Sequence, residues 1–180
     1  MLSKINLFKL LFMLIILAVV QSSFFNYFTF LSMRPNLVLI FIIYFTMYTR
    51  LKVAVCISIL GGIILDLFSV GIFGISAIAY SGVAVGLNKI AAHINRESIL
   101  AQMIITMVAV ISSDLIYYLM IKIFMPQVEF YSPILRIILP TAVISAFLTP
   151  ILFEIFRRFL KFEKLYFTVK TVPEYPAGQH

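Results

Sequence analysis

Two carboxylates stand inside otherwise apolar runs: Asp66 in GGIILDLFSVGIFG, residues 61–74, and Asp114 in AVISSDLIYYLMI, residues 109–121. An acid placed in this way locks a helix end by accepting hydrogen bonds, lines a groove or partner site, or relays protons or ions. A relay needs acids, bases or histidines at successive depths, and this chain has no such ladder. His93 lies in the polar turn between Lys89 and Arg96, and His180 is the last residue. Two isolated histidines with no acid cluster beside them argue against a metal site. The single cysteine, Cys56, lies in an apolar run as a small core residue, so there is neither a disulfide nor a thiolate cluster. No catalytic fingerprint or cofactor motif is present, and the chain reads as a non-enzyme. Asp66 stands one turn from the end of its apolar run, and Gly71 and Gly74 follow. That spacing places the acid where it accepts from the amides of the turn. Asp114 has Tyr117 and Tyr118 at i+3 and i+4, and their hydroxyls are expected to satisfy it.

The elements that position these acids are membrane helices. Of 180 residues, 63% are hydrophobic and 12% charged, against roughly 45–50% and about 25% in soluble domains. A spanning helix needs about 20 mainly apolar residues. The short charged or proline-bearing breaks delimit six spans near residues 8–30, 35–49, 53–69, 72–90, 98–123 and 133–159. Together they form one transmembrane bundle over 1–163, followed by a flexible cytoplasmic tail over 164–180. The formal net charge of +7 does not indicate nucleic acid, because the basic residues sit singly or in pairs between apolar runs. Lys4 and Lys9 ahead of Leu10–Val20 imitate a signal peptide, but the apolar sequence runs on past Ser23, as in an uncleaved first span.

Lysine and arginine set the orientation, because cytoplasmic loops retain them. With the N-terminus inside, Lys4, Lys9, Arg50, Lys52, Lys89, Arg96, Arg157, Arg158, Lys161, Lys164 and Lys170 fall at inner ends, and Arg34, Lys122 and Arg136 at outer ends. Eleven against three favours an even number of spans with both termini cytoplasmic. Both acids then fall in the outer half. Ser32 with Pro35, and Ser132 before Pro133, supply expected helix starts, and Arg50–Lys52 is a polar turn. The second and third spans are short for a hydrocarbon core of around 30 Å, so either neighbours shield their ends or the bilayer thins. Pro140 and Pro150 interrupt the sixth span, which should bend there, with Thr141, Ser145 or Thr149 serving the freed carbonyls.

Helices in lipid approach closely where small residues recur at four-residue spacing. Four such rows run through the chain: Ala54, Ser58, Gly62 and Asp66; Gly74, Ile78, Gly82 and Gly86; Ala101, Ile105, Ala109 and Ser113; Ala142, Ala146, Pro150 and Glu154. All four are expected to face other helices. Glu154, Arg157, Arg158 and Lys161 form a charged collar at the inner end of the sixth span, suited to acidic lipid headgroups or a cytoplasmic protein.

Taken together, Gln21 in the first span, Arg34-Pro35-Asn36-Leu37, the Arg50-Leu51-Lys52 turn, GGIILDLFSVGIFGISAIAY (61–80) and the proline-bearing last helix ending in Arg157-Arg158 resemble the rod shape-determining protein MreD family. Asp66, Gly71 and Gly74 match that family's third-span element by position. The turn departs from it, with Gly71-Ile72-Phe73-Gly74 where the family commonly has Pro-Leu-Gly. The resemblance implies a multi-pass scaffold subunit of the bacterial inner membrane that serves cell elongation. It would pair with the single-span protein MreC and help couple MreB filaments to RodA and a class B penicillin-binding protein. It also implies a fold similar to the six-helix substrate-binding subunits of energy-coupling-factor transporters. That likeness leaves a second class open, a vitamin-type transporter subunit with Asp66 and Asp114 in its groove, although span one offers only Ala18 where such subunits carry an AxxxA face.

Overall fold

The computed structural model describes residues 7–24, 35–69, 72–90, 98–124, 126–127 and 137–160. Ser32, Arg34, Gly71, His93, Arg96, Ser132, Pro133, Arg136, Lys161 and the tail lie outside the described residues. Among those described there are six α-helices. They are α1 (Leu7–Val19), α2 (Leu37–Tyr48), α3 (Leu51–Phe68), α4 (Ile75–Ile90), α5 (Ile99–Phe124) and α6 (Leu139–Leu160), with a π-helical turn over Val20–Phe24 extending α1. Three are long and apolar enough to cross a membrane: α3, α5 and α6 over Leu139–Phe159. The stretch Phe8–Ser23, α2 and α4 are apolar but shorter.

α2 is the axis of the bundle and touches each of the other five helices. Its sequence, LVLIFIIYFTMY, is apolar on every side, and every residue from Leu37 to Met47 is buried. A helix with no polar stripe has no face to give to water and settles in the middle. Around it, α3 packs against α4 and α5 against α6. Phe8, Leu67, Ile104, Phe147 and Phe159 are among the large apolar side chains that point outward, as a lipid-facing surface requires.

α2 has 12 residues, about 18 Å at 1.5 Å per residue, whereas the hydrocarbon core is about 30 Å thick. Its free amides and carbonyls therefore need partners supplied by protein, since each unsatisfied group in lipid costs several kcal/mol. Neighbouring helices supply them at both ends. The N-cap is Asn36, one residue beyond Pro35, rather than Ser32 as the sequence suggested. A carboxamide at this position accepts from the third helical amide, which a serine four residues earlier cannot reach.

The α-helix α6 begins at Leu139, and Ile137 and Ile138 directly ahead of it are π-helical, so Pro140 stands where the π-helical residues pass into the α-helix and Pro150 lies inside the α-helix. Of the three hydroxyls expected to serve freed carbonyls, Thr149 donates to the Ser145 carbonyl at 2.7 Å. Ser145 Oγ is taken by α2, and Thr141 Oγ1 is buried with no partner.

Candidate functional site

At the N-terminal end of α2 four helices meet on Asn36. Asn36 Oδ1 accepts from Leu39 N at 3.1 Å, from the Tyr80 hydroxyl of α4 at 3.0 Å and, more weakly, from Gln21 Nε2 at 3.4 Å. Gln21 Oε1 accepts from Val38 N at 3.0 Å, and Ser145 Oγ of α6 accepts from Asn36 N at 3.0 Å. The Asn36 carbonyl takes Ile40 N, and the Pro35 carbonyl takes Leu37 N. Every amide of the first turn is thereby satisfied, two of them by side chains. The π-helical turn in which Gln21 stands carries its amide group to α2.

The opposite end of α2 is closed in the same way. Asn88 Nδ2 of α4 donates to the carbonyls of Thr46 at 3.1 Å and Thr49 at 3.3 Å, while the Thr46 and Thr49 hydroxyls donate to the carbonyls of Ile42 and Phe45. Between the two ends Tyr44 packs edge-on against Phe153 and Phe156, and Phe41 against Phe156. Since α4 reaches Asn36 through Tyr80 and the far end through Asn88, these contacts fix two chemically different ends of the bundle.

Asp66 lies at the Asn36 end. Its Oδ2 accepts from Gly74 N at 2.8 Å, across the turn that joins α3 to α4. Gly74 has φ +92°, a left-handed conformation that a Cβ disfavours. One turn back, α3 and α4 come so close that a Cβ on Gly62 would lie 2.3 Å from Ala77 Cα. Gly62 and the Asp66–Gly74 bond therefore act together: one lets the helices touch, the other fixes the turn that brings them there.

Asp114 belongs to the same end. Tyr80 and Tyr117 each lie within electrostatic reach of both Asp66 and Asp114. The two acids differ in their bonding. Neither Tyr117 nor Tyr118 donates to Asp114, contrary to expectation, and the two rings instead meet edge to face, 6.2 Å apart. A tyrosine hydroxyl stands a whole ring farther from the helix axis than an aspartate carboxylate, so a tyrosine one turn away carries its oxygen past the acid.

Three of the four small-residue rows turn inward: Ala54, Ser58 and Gly62 on α3; Ile105, Ala109 and Ser113 on α5; Ala142 and Ala146 on α6 are buried. The α4 row does not. Ile78, Gly82 and Gly86 are exposed, a Cβ on Gly82 would meet only Ile116 Cδ1 at 3.6 Å, and one on Gly86 would meet nothing within 4 Å. α4 instead buries Ala77, Tyr80, Ala84 and Leu87, the face that carries Tyr80 to Asn36. One residue's shift in register turns a helix by about 100°, enough to send an alternative row outward.

A profile of the rod shape-determining protein MreD family matches residues 3–163 of the 180-residue chain. The chain belongs to the MreD family. No curated protein and no solved structure matches it. MreD is a shape-determining family, so this member serves rod-shape determination. Within this MreD chain, Lys9, Arg50, Lys52, Lys89, Arg157 and Arg158 are all exposed, and the helices carrying them bring them toward the Asn88 end. Glu154 pairs with both Arg157 and Arg158 on its own helix. Asn36, Gln21, Tyr80 and Asn88 are structural residues that spacing did not single out, and Ser145, expected to serve a freed carbonyl, accepts from Asn36 N instead. One signal was available: an asparagine directly ahead of an apolar run too short to span marks a helix start that needs a buried cap.

Proposed function

We propose that this MreD-family chain is a non-enzymatic scaffold of the bacterial inner membrane, with six spans and both termini cytoplasmic. In this reading it binds a single-span MreC-like protein and helps couple MreB filaments to RodA and a class B penicillin-binding protein in the elongation machinery. The family match over residues 3–163 carries the reading. The internal bonding supports it: the polar groups at both ends of α2 are engaged in holding helices together, as a rigid platform needs. The exposed cations at the Asn88 end support inward placement of that end next to acidic lipid headgroups. Co-purification in mild detergent with the MreC-like protein is the test. A folded bundle that never retains that protein removes the reading.

One observation favours a second reading, a vitamin-type transporter subunit with a fold like the energy-coupling-factor substrate-binding subunits. Asp114 carries no hydrogen bond among the described residues, as a ligand-binding acid would. Stabilisation by a vitamin in a melting screen would favour transport over the scaffold.

A further inference from the structure

We propose that the Asp114 face of α5 is a docking surface for one membrane-spanning helix of a partner, and that this helix carries a lysine or arginine at the depth of the Asp114 carboxylate. The proposal rests on the scaffold reading above and identifies the surface that reading requires.

The argument starts from the difference between the two acids. Asp66 is bonded to Gly74 N and has a structural task within the chain. Asp114 is half-buried on α5 and has no hydrogen bond or ion pair to any described residue. The exposed cations Lys9, Arg50, Lys52, Lys89, Arg157 and Arg158 lie toward the Asn88 end of the bundle, and Lys122 lies two turns farther along α5. An ionised aspartate within a span costs about 2.5–3.5 kcal/mol on insertion scales, and such residues are kept where something pairs with them. Among the described residues no cation stands beside Asp114, so charge complementarity places one on a partner.

The surroundings of Asp114 fit a helix as the partner. α5 is the least covered of the three long apolar helices, with 28% of its most apolar stretch buried against 33% in α3 and 39% in α6. Asp114 shares a face with Leu100, Ile104, Met107, Ile111 and Tyr118, alternating steps of four and three residues. That is the spacing along which a second helix interdigitates at a shallow crossing angle. Leu100 and Ile104 are largely exposed, at 71% and 63%. Asp114 and Tyr118, one turn apart on this face, are both partly exposed.

The test uses the full chain coexpressed with its MreC-like protein and purified in mild detergent, with Asp114→Asn, Asp114→Leu and Asp114→Glu beside the parent. Asp114→Asn and Asp114→Leu should melt at or above the parent temperature, because each removes a costly unpaired acid. Both should lose recovered partner by on the order of tenfold or more, and Asp114→Glu should keep most of it. Partner recovery within about twofold of the parent for Asp114→Asn and Asp114→Leu overturns the proposal. Melting temperatures several degrees lower overturn it too, because Asp114 would then be an internal structural group. A parent that retains no MreC-like protein brings down the scaffold reading and this surface with it. A parent that does retain it, beside variants that do so equally, brings down this surface alone.

Discussion

Gly62 Cα and the backbone of Ala77 leave no room for a single methyl group between them: a Cβ on Gly62 would lie 2.3 Å from Ala77 Cα and 2.4 Å from Ala77 N. The obstruction is backbone, which cannot rotate aside as a side-chain tip can. Gly62→Ala should therefore force α3 and α4 apart, costing about 3 kcal/mol or preventing folding. Thermal melting in detergent checks this, and a melt within a degree of the parent would contradict the close approach.

Gly82→Leu and Gly86→Leu should behave in the opposite way, since both positions are open. Removing a helical glycine from α4 contributes up to about 1 kcal/mol through propensity. An unchanged or raised melting temperature is expected. A marked loss would show that a helix of this chain covers that face.

Asp66→Ala leaves the Gly74 amide without its acceptor, at about 1–3 kcal/mol. Gly74→Ala meets no steric neighbour, so its cost is conformational alone, about 1–2 kcal/mol from the left-handed φ. Because both changes loosen the same turn, the double variant should lose less than the sum of the singles. Strict additivity in melting experiments would mean that the two residues act independently.

Gln21→Leu frees the Val38 amide inside the bundle. The expected loss is about 1–3 kcal/mol, or roughly 2–4 °C per kcal/mol for a chain of this length. Hydrogen exchange should also rise at Val38 and stay unchanged at Leu39, whose acceptor is Asn36. Equal exchange at both amides would argue against the Gln21 cap.

Composition together with long uninterrupted apolar runs was enough to read a bundle of membrane helices, because 63% of the residues are hydrophobic and the runs are continuous rather than alternating as barrel strands require. Local spacing was enough for features that act within a few residues: the Asp66–Gly74 pairing across a turn, the inward α3 row ending in Asp66, and Glu154 beside Arg157 and Arg158. Spacing misled at α4, where it chose the wrong face. The row Gly74, Ile78, Gly82, Gly86 looks as suited to packing as the α3 row, yet α4 turns it outward, because Tyr80 must reach Asn36 and Asn88 must reach the end of α2.

Those long-range demands have no local signature. Asn36 and Ser145 are 109 residues apart, Asn36 and Tyr80 44 apart, and in a chain this apolar every helix offers several acceptable oily faces. What chooses among them is the need to give each polar group at the ends of a short buried helix a partner away from water. That requirement is settled only when α1, α2, α4 and α6 are assembled. The sequence placed Asp114 in its helix, but only the assembled bundle distinguished it from Asp66, which is bonded to Gly74 N, whereas Asp114 has no hydrogen-bond partner among the described residues.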